Sequence, residues 1–396
     1  MIDWQALYAT RVSRIQSSDV REQARLMGQA DVISFGGGIP DPAVFPIGEV
    51  AEAAQRILGD PTAARTALQY SESGGYRPLR QWLADYMGRL GVPCSPDNIL
   101  ITSGSQQGLD LIGRLLLSPG DRALVEAPTY IGALRAFDAC EATYGPISEL
   151  AEASAPPAKF GYLMPDFQNP MGTCLTRAER LTVLEQAAAR GLPLVEDSAY
   201  ERLRYEGEAL PSLLALDAER AGGIDRSRVL YTSTFSKLIV PSLRVGWVAG
   251  PAPAIHKLML LKQVCDLHTS TFNQMLMLDL VSRILDERIA VVNDLYRRRR
   301  DAVLTGLKAH MPAGVAWTRP QGGMYIWVEL PDGIDGSEFA RRALAEEKVA
   351  VVSGKSFYPA SPRLNTIRLA FPQTREDRVG EGIARLAGLL RRMIGN

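Results

Sequence analysis

Short apolar runs rich in β-branched residues alternate with helical stretches along most of this chain, and that alternation constrains the fold most. Ile99–Thr102 is followed by Gly104 and a helical stretch from Leu109 to Leu117. Arg122–Glu126 follows a Pro-Gly-Asp turn, Gly161–Met164 is ended by Pro165, and Leu192–Glu196, Val229–Thr232 and Val245–Val248 complete the set. Arg177–Ala189 reads as a helix with Thr176 as N-cap and Glu179 three residues on, a capping box. Near-continuous apolar strands interleaved with helices predict an α/β chain with a parallel or mixed sheet covered on both faces. After about residue 275 the texture changes. A long helical region from Gln274 to His310 precedes Met324–Leu330, a helix from Ser337 to Lys348, Val349–Val352, Thr366–Ala370 and a last helix to Ile394. That order suggests a smaller α+β domain packed closely on the first.

A length of 396 residues suits two domains. Lys plus Arg is 44 and Asp plus Glu is 44, so the chain carries no electrostatic footprint for nucleic acid or an anionic membrane. The run Tyr296-Arg-Arg-Arg-Arg300 is expected to spread around a solvated helix face. Cys94, Cys140, Cys174 and Cys265 lie far apart, and with three histidines (His256, His268, His310) no metal centre is expected. No basic-then-apolar leader and no apolar run near 18 residues is present, so the expectation is a cytoplasmic chain with no membrane partner.

In open α/β sheets ligands gather beyond the carboxyl ends of the strands, so the residues that follow each strand are the candidates. Ser103-Gly104-Ser105-Gln106-Gln107-Gly108 offers free amides at a helix N-terminus, suited to phosphate, although a strand-to-helix turn needs glycine in any case. Asp197, at the end of a buried strand, needs a cation or serves as a helix cap. Asn169, flanked by Pro165 and Pro170, is a donor and acceptor in a turn. Lys237 follows Ser233-Thr234-Phe235-Ser236. An amine there either snorkels to water or, held in, suits Schiff-base chemistry. Arg244 and the hydroxyls would suit a phosphate. Arg368 sits inside the apolar strand Asn365–Phe371. If it faces inward, its fork needs a planar anion such as a carboxylate. Together these groups meet one specification, that of pyridoxal 5′-phosphate (PLP) acting on an amino acid: a lysine, an acid for the pyridinium nitrogen, a phosphate cup and a carboxylate clamp.

From about residue 14 to the C-terminus the chain resembles the class I/II aminotransferases, PLP enzymes of fold type I. The resemblance rests on the ordered set Gly-Ser-Gln-Gln, Phe-Gln-Asn-Pro, Val-Glu-Asp, Ser-Lys and Arg-Leu-Ala-Phe. Arg14-Ile-Gln16, Val20-Arg21-Glu22, Ile33–Pro40 and Phe45-Pro46 are similar to the α-aminoadipate/kynurenine aminotransferase subgroup. The resemblance implies a large domain with a central, mostly parallel seven-stranded sheet at residues 31–275, a smaller domain at 276–396 and an N-terminal arm at 1–30. Lys237 would carry the cofactor and shuttle the proton, and Asp197 would pair with the pyridinium nitrogen. Asn169 and Tyr200 would meet the ring 3′-oxygen, and Tyr130 would stack on the ring. Ser105, Gln106, Thr234, Ser236 and Arg244 would hold the phosphate, with Tyr70 reaching it from the other subunit of a homodimer. Arg368 would clamp the substrate carboxylate near the backbone of Gly38. Arg21 would meet an acidic side chain.

Thr234 stands in place of the family's usual Ser, Met171 of Thr, and Ser198 of a second acid. Ile239, Val240 and Ser242 replace smaller residues. The expected activity is ping-pong transamination between L-amino acids and 2-oxo acids, with glutamate and 2-oxoglutarate as one pair. The other pair would be 2-aminoadipate or an aromatic or branched amino acid. A β-lyase, decarboxylase or racemase on the same scaffold is the alternative, and a non-catalytic ligand-sensing module a third.

Overall fold

A computed structural model describes residues 1–15 and 31–395. Thirteen strands occur among them: β1 (Ile33–Ser34), β2 (Ile99–Thr102), β3 (Arg122–Val125), β4 (Thr143–Pro146), β5 (Phe160–Leu163), β6 (Leu194–Asp197), β7 (Val229–Thr234), β8 (Gly246–Ala249), β9 (Ala316–Trp317), β10 (Tyr325–Glu329), β11 (Val349–Ala350), β12 (Val352–Ser353) and β13 (Thr366–Ala370). Seven form one sheet in the order β2-β8-β7-β6-β5-β3-β4. Only β8 runs against its neighbours. Every residue of β2, β5, β6, β7 and β8 is buried, as strands covered on both faces must be. The carboxyl ends of β2, β5, β6 and β7 therefore share one edge, and the loops leaving them carry the candidate chemistry.

The unpredicted strand β4 lies at the sheet margin, is partly exposed and ends in Pro146, a residue that only an edge tolerates. The helix Arg177–Ala189 begins as its capping box predicts. Glu179 N donates to Thr176 Oγ1 at 3.3 Å, and Thr176 N donates back to Glu179 Oε2 at 2.7 Å.

β9, β10, β12 and β13 form an antiparallel sheet in the order β12-β13-β10-β9. Val349–Val352 divides between two sheets, because β11 pairs in parallel with β1 while β12 pairs with β13. The chain beyond β1 continues along the small sheet, with Ala370 N donating to Phe35 O at 2.7 Å. That link brings Gly36–Gly38 over Arg368. The 40-residue helix Thr271–His310, about 60 Å long, packs against helices Ile47–Gly59 and Glu376–Ile394. The four-arginine run lies on it and departs from its expectation. Arg297 and Arg298 are exposed and pair with Asp294, but Arg299 and Arg300 are buried, paired with Asp41 and with Glu206. Four successive residues cover a full helical turn, so the run must face inward as well as outward. No described helix is long and apolar enough to cross a membrane.

Candidate active site

Alternation along β6 sends its two acids to opposite faces. Glu196 accepts from Leu213 N at 3.0 Å and Leu214 N at 2.9 Å, which caps the helix Leu213–Ala221. Asp197 faces the other way, and its only backbone donor among the described residues is the Ala199 amide two residues on. It is 1% exposed; its Oδ2 accepts from Tyr162 Oη at 2.9 Å, and its Oδ1 has no partner. Burial pushes its pKa up to about 6. A buried carboxylate oxygen with a lone pair to spare invites a further donor, and no side chain among the described residues supplies one to Oδ1.

Lys237, partly buried just past β7, sends Nζ toward Gly38 O at 3.4 Å. Burial, then the charges of Arg244 and Arg368, hold its pKa down at about 8. The amine therefore sits in the field of the site and is not drawn out to water.

The loop after β2 and the turn before β8 build a cup. The helix Ser105–Leu116 starts from Gly104, at φ 86°, with no side chain capping it, so its first amides are free. Arg244 crosses this turn. Its Nη2 donates to Ser103 O at 3.2 Å and its Nη1 to Ser236 Oγ at 3.3 Å, while Thr234 Oγ1 donates to Ser236 Oγ at 2.9 Å. A Cβ on Gly104 would stand 2.2 Å from Arg244 Nη2. Arg244 itself holds φ 53°, a conformation that costs a non-glycine residue about 1–2 kcal/mol. Tyr130 Oη donates to Gln106 Oε1 at 3.2 Å, and Gln106 Nε2 donates to Gly132 O at 2.7 Å.

Arg368 faces inward at 4% exposure. Nη1 donates to Asn169 Oδ1 at 3.1 Å and Nη2 to Gly36 O at 2.9 Å, and the guanidinium lies 4.4 Å from the Tyr325 ring centroid and 5.0 Å from that of Phe357. Its Nε has no partner, and no carboxylate among the described residues pairs with it. Asn169, with its oxygen committed to Arg368, has Nδ2 to offer. Tyr200 Oη meets Tyr325 Oη at 3.1 Å.

Among the expected residues, Lys237, Asp197, Asn169, Tyr200, Tyr130, Ser105, Gln106, Thr234, Ser236, Arg244, Gly38 and Arg368 thus converge on one strand-end edge. Tyr70 stands apart, 78% exposed and edge-on to His268. Arg21 lies outside the described residues. Met171 fills an apolar cluster with Trp327, Val352 and Phe357. Sequence reasoning missed Tyr162 and Tyr325. Each is a buried tyrosine in a strand, whose hydroxyl requires a partner, and that was the available signal.

The residues fit PLP: an unpartnered acid for a ring N–H, an amine held in the pocket, and a cup with free amides and Arg244 for a dianion. Fold and site together define a PLP-dependent enzyme of fold type I. The family model for aminotransferases of class I and II matches residues 30–386, and the chain belongs to that family as a PLP-dependent transaminase. It is 38% identical over 403 residues to aromatic-amino-acid aminotransferase 1 of Thermococcus litoralis, covering 98% of this chain and 94% of that one. It is 39% identical over 406 residues to the 2-aminoadipate transaminase of Thermus thermophilus, covering 99% and 98%. The crystal structure of Pyrococcus horikoshii kynurenine aminotransferase, in complex with PMP, KYN and KYA, matches with a TM-score of 0.92 at 39% identity, covering 99% of this chain and 98% of that one.

Proposed function

We propose that this transaminase passes the amino group between an L-amino acid and a 2-oxo acid by a ping-pong cycle, with glutamate and 2-oxoglutarate as one pair. 2-Aminoadipate, or an aromatic or branched amino acid, forms the other. The observation that carries the reading is the free Oδ1 of buried Asp197 on the same edge as Lys237. Bound there, PLP supplies an electron sink for the charge left at the substrate Cα.

The protein's residues do the rest. Asp197, ionised, holds a proton on the ring nitrogen. Lys237 Nζ would take the Cα proton and return it at C4′. Arg368 would orient the substrate by its carboxylate, with Asn169 Oδ1 and Gly36 O fixing the fork. Ser105, Gln106, Thr234, Ser236 and Arg244 hold the phosphate. Tyr130 would lie against the ring, and Asn169 and Tyr200 would meet its 3′-oxygen.

The same proposal includes a cytoplasmic homodimer in which exposed Tyr70 completes the partner's phosphate cup. It divides the chain into residues 1–30, 31–275 and 276–396. Arg21 would receive an acidic side chain, which favours 2-aminoadipate and glutamate.

The test is a half-reaction screen. The purified holoenzyme is mixed with each amino acid in turn and loss of the cofactor's protein-bound absorption band is followed. Glutamate and 2-aminoadipate should convert it to the pyridoxamine form. If no amino acid does so, transamination is wrong. If Arg21→Ala leaves the ratio of acidic to aromatic kcat/KM unchanged, the substrate assignment falls.

A further inference from the structure

Behind the cup lies a charged group that the reaction does not use. Lys262, in the helix Ala252–Asp266, has a fully buried side chain. Its Nζ donates to Gln107 Oε1 at 2.9 Å and to both Asp266 oxygens at 2.8 Å. Three donors meet three acceptors, which a buried ammonium requires.

Asp266 is the last residue of its helix, where the macrodipole disfavours an anion. Helix stability therefore does not account for it. Its Oδ2 turns to the cup instead and accepts from Gln107 Nε2 at 2.7 Å and from Ser103 Oγ at 3.4 Å. Gln107 Oε1, fixed by Lys262, accepts from Ser103 N at 2.8 Å. Ser103 is thus tied at its amide by this group, at its hydroxyl by this group together with Thr269 Oγ1 at 3.2 Å, and at its carbonyl by Arg244. The next residue, Gly104, is the hinge from which the free amides of Ser105 and Gln106 project.

We propose that Lys262, acting through Asp266 and Gln107, positions the phosphate cup: it holds Ser103 so that the Ser105 and Gln106 amides and Arg244 face one point. Lys262 touches neither cofactor nor substrate. The inference rests on the assignment of this loop to the cofactor's phosphate.

The test compares PLP with pyridoxal, which lacks the phosphate, on the cofactor-free protein by fluorescence titration. Lys262→Met and Asp266→Asn should each raise the Kd for PLP on the order of ten-fold, the scale on which outer partners act at other bound groups. Each should change the Kd for pyridoxal less than two-fold. An equal loss for both aldehydes would mean general damage and would overturn the proposal, as would an unchanged Kd for PLP. If the unmutated protein binds PLP no tighter than pyridoxal and Arg244→Ala alters neither, the cup assignment itself fails. Should Lys262→Met not fold, Asp266→Asn, whose carboxylate is partly exposed, carries the same comparison.

Discussion

Arg368 donates to Asn169 across 199 residues of sequence, Nη1 to Oδ1 at 3.1 Å, and this bond ties the four-stranded sheet to the loop that leaves β5. The same guanidinium reaches Gly36 O and is flanked by the rings of Tyr325 and Phe357, so its plane is set before any substrate arrives. Lysine keeps the charge but loses the fork. Arg368→Lys should raise KM for the amino acid about 100-fold, the loss of about 2–3 kcal/mol of charge-assisted bonding. It should lower kcat far less. Steady-state kinetics with saturating cofactor reads the split, and an unchanged KM would remove Arg368 from the carboxylate site.

Asp197 makes the cofactor-free protein sensitive to pH in a fixed direction. Burial lifts its pKa from an ordinary 3.8 to about 6, so the folded chain holds the proton more tightly than the unfolded one. The stability this gives is complete below about pH 4 and is lost as pH rises to about 6, a change of about 3 kcal/mol. Asn is a neutral stand-in for the protonated acid. Asp197→Asn should therefore match the unmutated protein near pH 4 and exceed it above pH 6 in urea denaturation without cofactor. With PLP bound the order should reverse, because only the carboxylate pairs with a protonated ring nitrogen. A stability difference that does not vary with pH would count against this environment for Asp197.

Sequence patterning located what local chemistry decides. The Thr176–Glu179 capping box and the strands expected at 99–102, 229–232 and 366–370 need only neighbouring residues, and the first and third strands match while the second runs on to Thr234. Residues after strand ends supplied Lys237 and Asp197, and a charge inside an apolar strand supplied Arg368. What escaped depends on distant approach. Tyr325 matters because Tyr200, 125 residues away, meets its hydroxyl, and Tyr162 because β5 lies beside β6. Arg299 and Arg300 looked like surface charge because their partners Asp41 and Glu206 lie far off in sequence. Register also divided Val349–Val352, since a run of four apolar residues does not reveal which edges it will meet.

Gly38 is a glycine for reasons of space. A Cβ there would stand 2.1 Å from Tyr325 Oη, well inside contact distance. Gly38→Ala should push that ring off Tyr200 and away from the Arg368 guanidinium, lowering kcat/KM at least about ten-fold, the cost of roughly 1.4 kcal/mol in the transition state. Gly38→Ala with Tyr325→Leu removes all three atoms that would stand within 3.0 Å of that Cβ, Oη, Cε1 and Cζ, and should recover part of the loss. If the double variant is no better than Gly38→Ala alone, the collision is not the cause.

Lys237 should report its surroundings through the rate at which it captures the cofactor. Its pKa is held at about 8 by burial first, and then by Arg244 and Arg368. Only the neutral amine attacks an aldehyde, so the rate of band formation from cofactor-free protein and PLP should climb with pH to a midpoint near 8. Arg368→Met removes one of the two positive charges that hold the value down, so the midpoint should move upward. Lys237→Ala should form no protein-bound band and show no turnover. Stopped-flow absorbance across pH 6.5–10 measures all three. A midpoint near 10.5, the ordinary lysine value, would place the amine in water and away from the two arginines. An amine poised near 8 has a neutral fraction of about a tenth at pH 7, so the cofactor-free protein should still form the band at that pH at about a tenth of its limiting rate.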